Sequence, residues 1–175
     1  MSDSKKGSVA SSVRNDCRRL DKRYILFIPL VLLLVGIFTR WVCGSPVWLV
    51  HSLGISDMIP SVWLMVLLSS ISYVVGGIAL GSALGQRFCS RNEKKYQGAM
   101  WFCIMAALGY AWYPIFFCSN LFFISTIVAS LCFFCAVCAT VCFACVSFLS
   151  FWSMILYDIW LLYLLLLNFQ VFFSV

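Results

Sequence analysis

Apolar residues run along this chain in long blocks, and polar residues collect between them. Tyr24 to Cys43 holds one charge, Arg40, near its end, and Ser61 to Leu84 holds none. From Ala99 to Val175 the only Asp, Glu, Lys, Arg or His is Asp158. A helix that crosses a bilayer needs roughly 20 mainly apolar residues, so this last block has room for three crossings. The pattern therefore predicts an all-α integral membrane protein, a five-transmembrane-helix bundle, with spans at about 24–43, 61–84, 99–117, 121–147 and 152–173. CSN, Cys118 to Asn120, separates the third span from the fourth, and the break before the fifth is placed near Ser147 to Ser153. Residues 1–22, rich in Ser, Lys, Arg and Asp, read as a disordered basic cytoplasmic tail ahead of a membrane domain at 23–175.

Composition excludes the water-soluble classes. The chain is 63% hydrophobic and 10% charged, against about 25% charged in soluble domains. The charge that remains is arranged. Seven Lys and Arg lie in the tail (Lys5, Lys6, Arg14, Arg18, Arg19, Lys22, Arg23), and four lie between the second and third spans (Arg87, Arg91, Lys94, Lys95). Five spans put these two regions on one side of the membrane. Positive charge marks the cytoplasmic side, so the N-terminus is expected in the cytoplasm and the C-terminus outside. The net charge of +6 is thus read as topology and contact with anionic membrane lipids, not as nucleic-acid binding. The first span starts late and lacks a small-residue cleavage site, which reads as a retained helix and not a signal peptide. With no organelle-targeting segment evident, a bacterial cytoplasmic membrane is the expected location.

Candidate chemistry is sparse. Cys132, Cys135, Cys138, Cys142 and Cys145 recur every three or four residues and share one helical face. Such a ladder suggests a metal or redox site, but ligands from one straight helix do not enclose a tetrahedral ion and no His joins them. The expected role is a small packing face, and no metal site is assigned. Asp158 is read either as a proton-coupling group or, preferably, as a carboxylate near the cytoplasmic end of its span, paired with Arg87, Arg91, Lys94 or Lys95. Arg40 is read as snorkelling into the headgroups. His51, the only histidine, is read as a solvated loop residue, with haem ligation as the sharper alternative. No Ser-His-Asp set, metal cluster or phosphate loop is present, and no catalytic residue is assigned.

Two aromatic motifs stand out from the apolar background. In ALGYAWYPIFF, Ala107 to Phe117, helical spacing puts Leu108 and Trp112 on one face. Pro114 frees a backbone carbonyl near Tyr110 and can kink the helix. A kink beside Trp makes a concave aromatic wall inside a bundle, where pockets form. In YDIWLLYLLLLN, Tyr157 to Asn168, Trp160, Tyr163 and Leu167 form one stripe, with Asn168 flanking its end. Such walls suit a flat apolar ligand such as a porphyrin or a sterol. The competing reading is that these aromatics pack helices or sit in the interfacial belt.

ALGYAWYPIFF resembles the third-helix motif of the TspO/MBR family, the translocator proteins or tryptophan-rich sensory proteins, whose pattern is approximately A-L-N-x-A-W-x-P-x-F-F. YDIWLLYLLLLN is similar to the family's P-Y-x-x-W-x-x-F-x-x-x-L-N. FIPLVLLLVGIFTR, Phe27 to Arg40, resembles its opening helix, and PSVW, Pro60 to Trp63, the start of its second. The matches are collinear and cover the chain after the tail. Gly109 stands where the family usually has Asn, Leu156 where it has Pro, and Leu67 where it has Tyr. The first loop keeps little of the family's lid pattern.

The resemblance implies a membrane receptor or sensor that binds tetrapyrroles (protoporphyrin IX or haem) or sterol-like molecules in an intrabundle pocket, with a role in porphyrin handling or transport. It implies Trp63, Trp112, Trp160, Tyr163, Leu167 and Asn168 as ligand-binding residues, with no resident cofactor required. A homodimer fits the resemblance, and the Cys/Ala face of the fourth span is one candidate surface for it. Eukaryotic members would place the chain in the mitochondrial outer membrane. Two other functions compete: light- and oxygen-dependent porphyrin breakdown, and proton-coupled transport through Asp158.

Overall fold

A computed structural model of the chain describes residues 22–43, 62–86, 92–119 and 121–174. Five helices make up these residues: α1 (Lys22–Cys43), α2 (Val62–Leu84), α3 (Asn92–Phe117), α4 (Phe122–Ala144) and α5 (Phe148–Ser174). Each is long and apolar enough to cross a membrane. Hydrocarbon offers no partner to a backbone N–H or C=O, so a chain of this composition closes its hydrogen bonds within helices. The bundle is turned inside out relative to a soluble one. Large apolar side chains such as Leu26, Phe38, Phe134 and Phe173 face outward, while Ala79, Ala83, Ala136 and Ala139 are fully buried between helices.

Small residues set which helices touch, because lipid gives apolar side chains no reason to leave it and only close approach gains packing. On α2, Gly77 abuts Pro29 of α1: a methyl group added at Gly77 would lie 2.7 Å from the Pro29 nitrogen. One turn further, a methyl at Gly81 would lie 2.9 Å from the Ile25 Cα. On α3, Gly98 admits the Phe143 ring and the Cys142 side chain of α4. The Ser82 and Ser150 hydroxyls, buried and 2.6 Å apart, join α2 to α5. Close packing therefore runs α1–α2–α5–α4–α3, and α3 meets α1 and α2 only loosely. That loose seam positions the cavity described below.

Two boundaries differ from those read in the sequence. Helix α3 starts at Asn92, ahead of the expected 99, because a helix does not stop where the hydrocarbon stops. Its polar first turns are stabilised locally: Glu93 favours the N-terminal dipole end, and the buried Lys95 donates to the Gln86 carbonyl at 2.7 Å. The break before α5 is tighter than expected. Val146 and Ser147 N–H groups both return to the Phe143 carbonyl, at 2.9 and 3.0 Å, and α5 begins at Phe148. The tail, His51, Pro60, Arg87 and Arg91 lie outside the described residues.

The cysteine face of α4 packs inside the chain. Cys132, Cys135 and Cys142 are buried, and the Cys132 thiol donates to the Met105 carbonyl of α3 at 3.4 Å. Cys132 and Cys142 of the face considered for a homodimer thus pack against α3, while Cys145 is exposed. Among the described residues no three His, Cys, Asp or Glu side chains come together as a metal site.

The glycine seams give opposite expectations. Gly77→Ala should destabilise the protein by about 1–3 kcal/mol, since the methyl meets rigid Pro29 backbone. Gly109→Ala, whose methyl would meet only the Cys132 sulfur at 3.8 Å, should change little. Thermal unfolding of both variants in detergent micelles checks this; equal midpoints would refute it.

Candidate ligand cavity

The buried core is in two parts. One cluster, around Phe102, Met105, Phe143 and Tyr157, lies toward the α4–α5 turn. The other, Trp112, Phe116, Leu167 and Val171, lies toward the opposite end. Along the loose seam, bordering both, side chains from all five helices line a partly open cavity. Its lining is mainly apolar and aromatic with a few polar groups, the kind of wall that small-molecule sites use.

Trp112 supplies one wall and is the most constrained side chain on it. Its indole N–H donates to the Asn168 Oδ1 of α5 at 3.1 Å. The Ser125 hydroxyl of α4 shares its one proton between the same oxygen, at 3.0 Å, and the Phe122 carbonyl of its own helix, at 2.9 Å, while the Asn168 amide donates to the Leu164 carbonyl at 2.7 Å. Two donors on one oxygen fix which way the amide faces. The Phe116 ring stacks on the indole at 5.2 Å and 29°, and Phe117 meets it edge-on at 6.0 Å. Trp160 supplies the facing aromatic surface from α5, stacked on Tyr163 at 5.5 Å and 28°.

The α1–α2 side is held to α3 by a few polar contacts. Tyr73 and Tyr110 stack at 5.5 Å, and the Tyr110 hydroxyl donates to the Leu32 carbonyl at 2.8 Å. Nearby, the Arg40 Nη1 donates to the Val66 carbonyl at 3.2 Å. Beyond that contact, the Cys118 thiol lies 3.7 Å from the Cys43 carbonyl.

Of the residues expected at the site, Trp112, Trp160 and Leu167 line the cavity together. Tyr163 stands behind Trp160, with its hydroxyl buried and no partner among the described residues. Asn168, 1% exposed, lies behind the wall as the acceptor that orients Trp112. Trp63 belongs to α2, but its side chain lies outside the described residues. Asp158 is off the wall: its Oδ2 accepts from the Thr140 hydroxyl of α4 at 2.7 Å, whereas Lys94 donates to Gln97 and Lys95 to the Gln86 carbonyl. The expected ion pair with those two lysines is replaced by a neutral partner.

Several wall residues were not among those expected to bind ligand: Arg40, Tyr73, Tyr110, Phe116, Tyr157 and Leu32, although Tyr110, Phe116 and Tyr157 belong to the two aromatic motifs. The spacing Leu32, Gly36, Arg40 puts the three on one helical face, which was the available signal for α1. Gly109 also lies on the wall, and an added methyl there would meet only Cys132. A side chain at this position, such as the Asn of the pattern quoted above, would take up space that Gly109 leaves open.

The model of the TspO/MBR family matches residues 25–173, nearly the whole chain. Comparisons with curated proteins and with solved structures found no match.

Replacing Asn168 by Leu leaves the buried Trp112 indole N–H without its acceptor, while the Ser125 hydroxyl keeps the Phe122 carbonyl at 2.9 Å. The expected loss is about 1–2 kcal/mol of stability, above the roughly 0.6 kcal/mol average for one hydrogen bond between membrane helices, with a shift in tryptophan emission. Ser125→Ala should cost less. Unfolding followed by tryptophan fluorescence compares them, and a loss for Asn168→Leu no larger than for Ser125→Ala would show that the bridge does not hold the indole.

Proposed function

Because the chain belongs to the TspO/MBR family, we propose that its cavity binds a flat, apolar ring system of the tetrapyrrole class, protoporphyrin or haem. Family membership supports a membrane sensor or porphyrin-related role in general. The finer reading draws on one observation: two aromatic surfaces, Trp112 with Phe116 and Trp160 backed by Tyr163, line the same cavity. Aromatic pairs add about 0.5–1.5 kcal/mol each beyond burial, and a macrocycle offers a π face to both. A sterol offers apolar area only, so this wall favours the tetrapyrrole. The basic residues of the tail and of the segment before α3 support an N-terminus in the cytoplasm.

The same placement favours a second reading. Two oxidisable indoles, Trp112 and Trp160, line the cavity, which suits light- and oxygen-dependent breakdown of a bound porphyrin. Proton-coupled transport draws no such support, since Asp158 is bonded to Thr140 away from the wall.

Protoporphyrin titrated into the protein in nanodiscs, followed by tryptophan quenching in darkness, should saturate. Trp160→Ala should weaken binding about tenfold, equivalent to about 1.4 kcal/mol, while the outward-facing Leu166→Ala should leave it unchanged. Illumination that bleaches the bound porphyrin would add the enzymatic reading. Absence of saturable quenching in the unaltered protein would overturn the proposal.

A further inference from the structure

Among the described residues the cavity wall carries one charged residue, Arg40, and its placement is unlike that of a snorkelling arginine. It sits in the last turn of α1, where a headgroup is the usual destination. Its guanidinium is instead turned across the seam. Nη1 bonds the Val66 carbonyl on α2, and Cζ lies 6.0 Å from the centroid of the Tyr113 ring on α3.

The described residues supply no anion for it. They contain two carboxylates: Glu93 at the start of α3, the opposite end of that helix from Tyr113, and Asp158, bonded to Thr140. The serines on the wall are committed as well. Ser69 donates to the Met65 carbonyl at 2.6 Å and Ser72 to the Ser69 carbonyl at 2.7 Å. A guanidinium has five N–H donors in a planar fork, and one is engaged here with a protein oxygen. The rest of the fork suits a carboxylate, the partner that guanidinium binds best through paired bonds. A cation held among apolar side chains and neutral dipoles also gains more from an anion than it would in water.

We propose that Arg40 is the specificity-determining residue of the cavity, binding a carboxylate carried on the edge of the flat ligand. This rests on the tetrapyrrole reading above and narrows it: rings with peripheral carboxylates are preferred over uncharged rings and over sterols. The geometry agrees. Tyr113 neighbours both groups, with the Arg40 Cζ 6.0 Å from its ring centroid and the Trp112 ring 6.5 Å away on edge. Charge and stacking wall thus belong to one cavity, where a ligand that carries a carboxylate at its edge would meet both. The shared chemistry is an anionic oxygen group, and a lipid phosphate is the other source of it.

The test compares protoporphyrin IX with its dimethyl ester, the same ring without charge, in nanodiscs of uncharged phosphatidylcholine. The unaltered protein should bind the acid at least tenfold more tightly than the ester. Arg40→Gln should abolish that preference by weakening the acid alone, and Arg40→Lys should keep part of it. Unchanged ester binding by Arg40→Gln shows that the cavity is still folded. If the acid and ester bind the unaltered protein equally, the flat-ligand reading stands and the role of Arg40 falls. If neither binds, both fall. Repeating the titration in phosphatidylglycerol nanodiscs separates the sources: a preserved preference supports the ligand carboxylate, and its loss would assign the guanidinium to lipid phosphate.

Discussion

One oxygen atom, Oδ1 of Asn168, organises the ligand-facing half of this bundle. It accepts from the Trp112 indole on α3 and the Ser125 hydroxyl on α4 while the amide itself is tied back to its own helix. In a soluble protein an indole N–H deprived of this partner would turn to water. In hydrocarbon it has nowhere else to go, so the bond fixes ring orientation even though hydrogen bonds between membrane helices are individually modest. Turn the indole, and the surface it presents with Phe116 is lost. The geometry of the wall thus depends on a residue that does not belong to it.

The rest of the architecture follows from unequal seams. Where glycine, alanine, serine or cysteine lines the contact, helices close to backbone distance, as at Gly77 on Pro29 and Gly98 on Phe143. Where tyrosine, tryptophan and phenylalanine line it, they stand apart. The chain uses small residues for α1–α2, α2–α5 and α3–α4 and large ones between α3 and the α1–α2 pair. A gap at that one seam is the geometric result, and its walls are aromatic because aromatics made it.

Much of this was legible in the residues. Charge-free runs gave five spans because hydrocarbon tolerates little else, and period three-and-four spacing put Trp160 and Leu167 on one face. What escaped did so for physical reasons. Asn92 to Gln97 looked like loop because polarity reports the edge of the membrane, not the end of a helix. Spacing tells which residues share a face but not their depth, so Asn168 behind the wall looked like Leu167 on it. Arg40 was assigned to headgroups because snorkelling is what an arginine near a span end does when nothing draws it inward; here the Val66 carbonyl and the Tyr113 ring do. Asp158 was matched to cations, and among the described residues its partner is the Thr140 hydroxyl.

The Tyr110 hydroxyl on the Leu32 carbonyl has a further consequence. With the Tyr73 stack, the Arg40–Tyr113 contact and the Cys118 thiol, it belongs to a short series of latches between the α3 end and the α1–α2 pair. None of them is a knob locked in a hole; each is a single bond or a ring contact that can open and re-form. Were these contacts to part, a molecule dissolved in the bilayer would reach the cavity between two helices without passing through water. The membrane would then serve as its reservoir, and the concentration that governs occupancy would be the one in lipid.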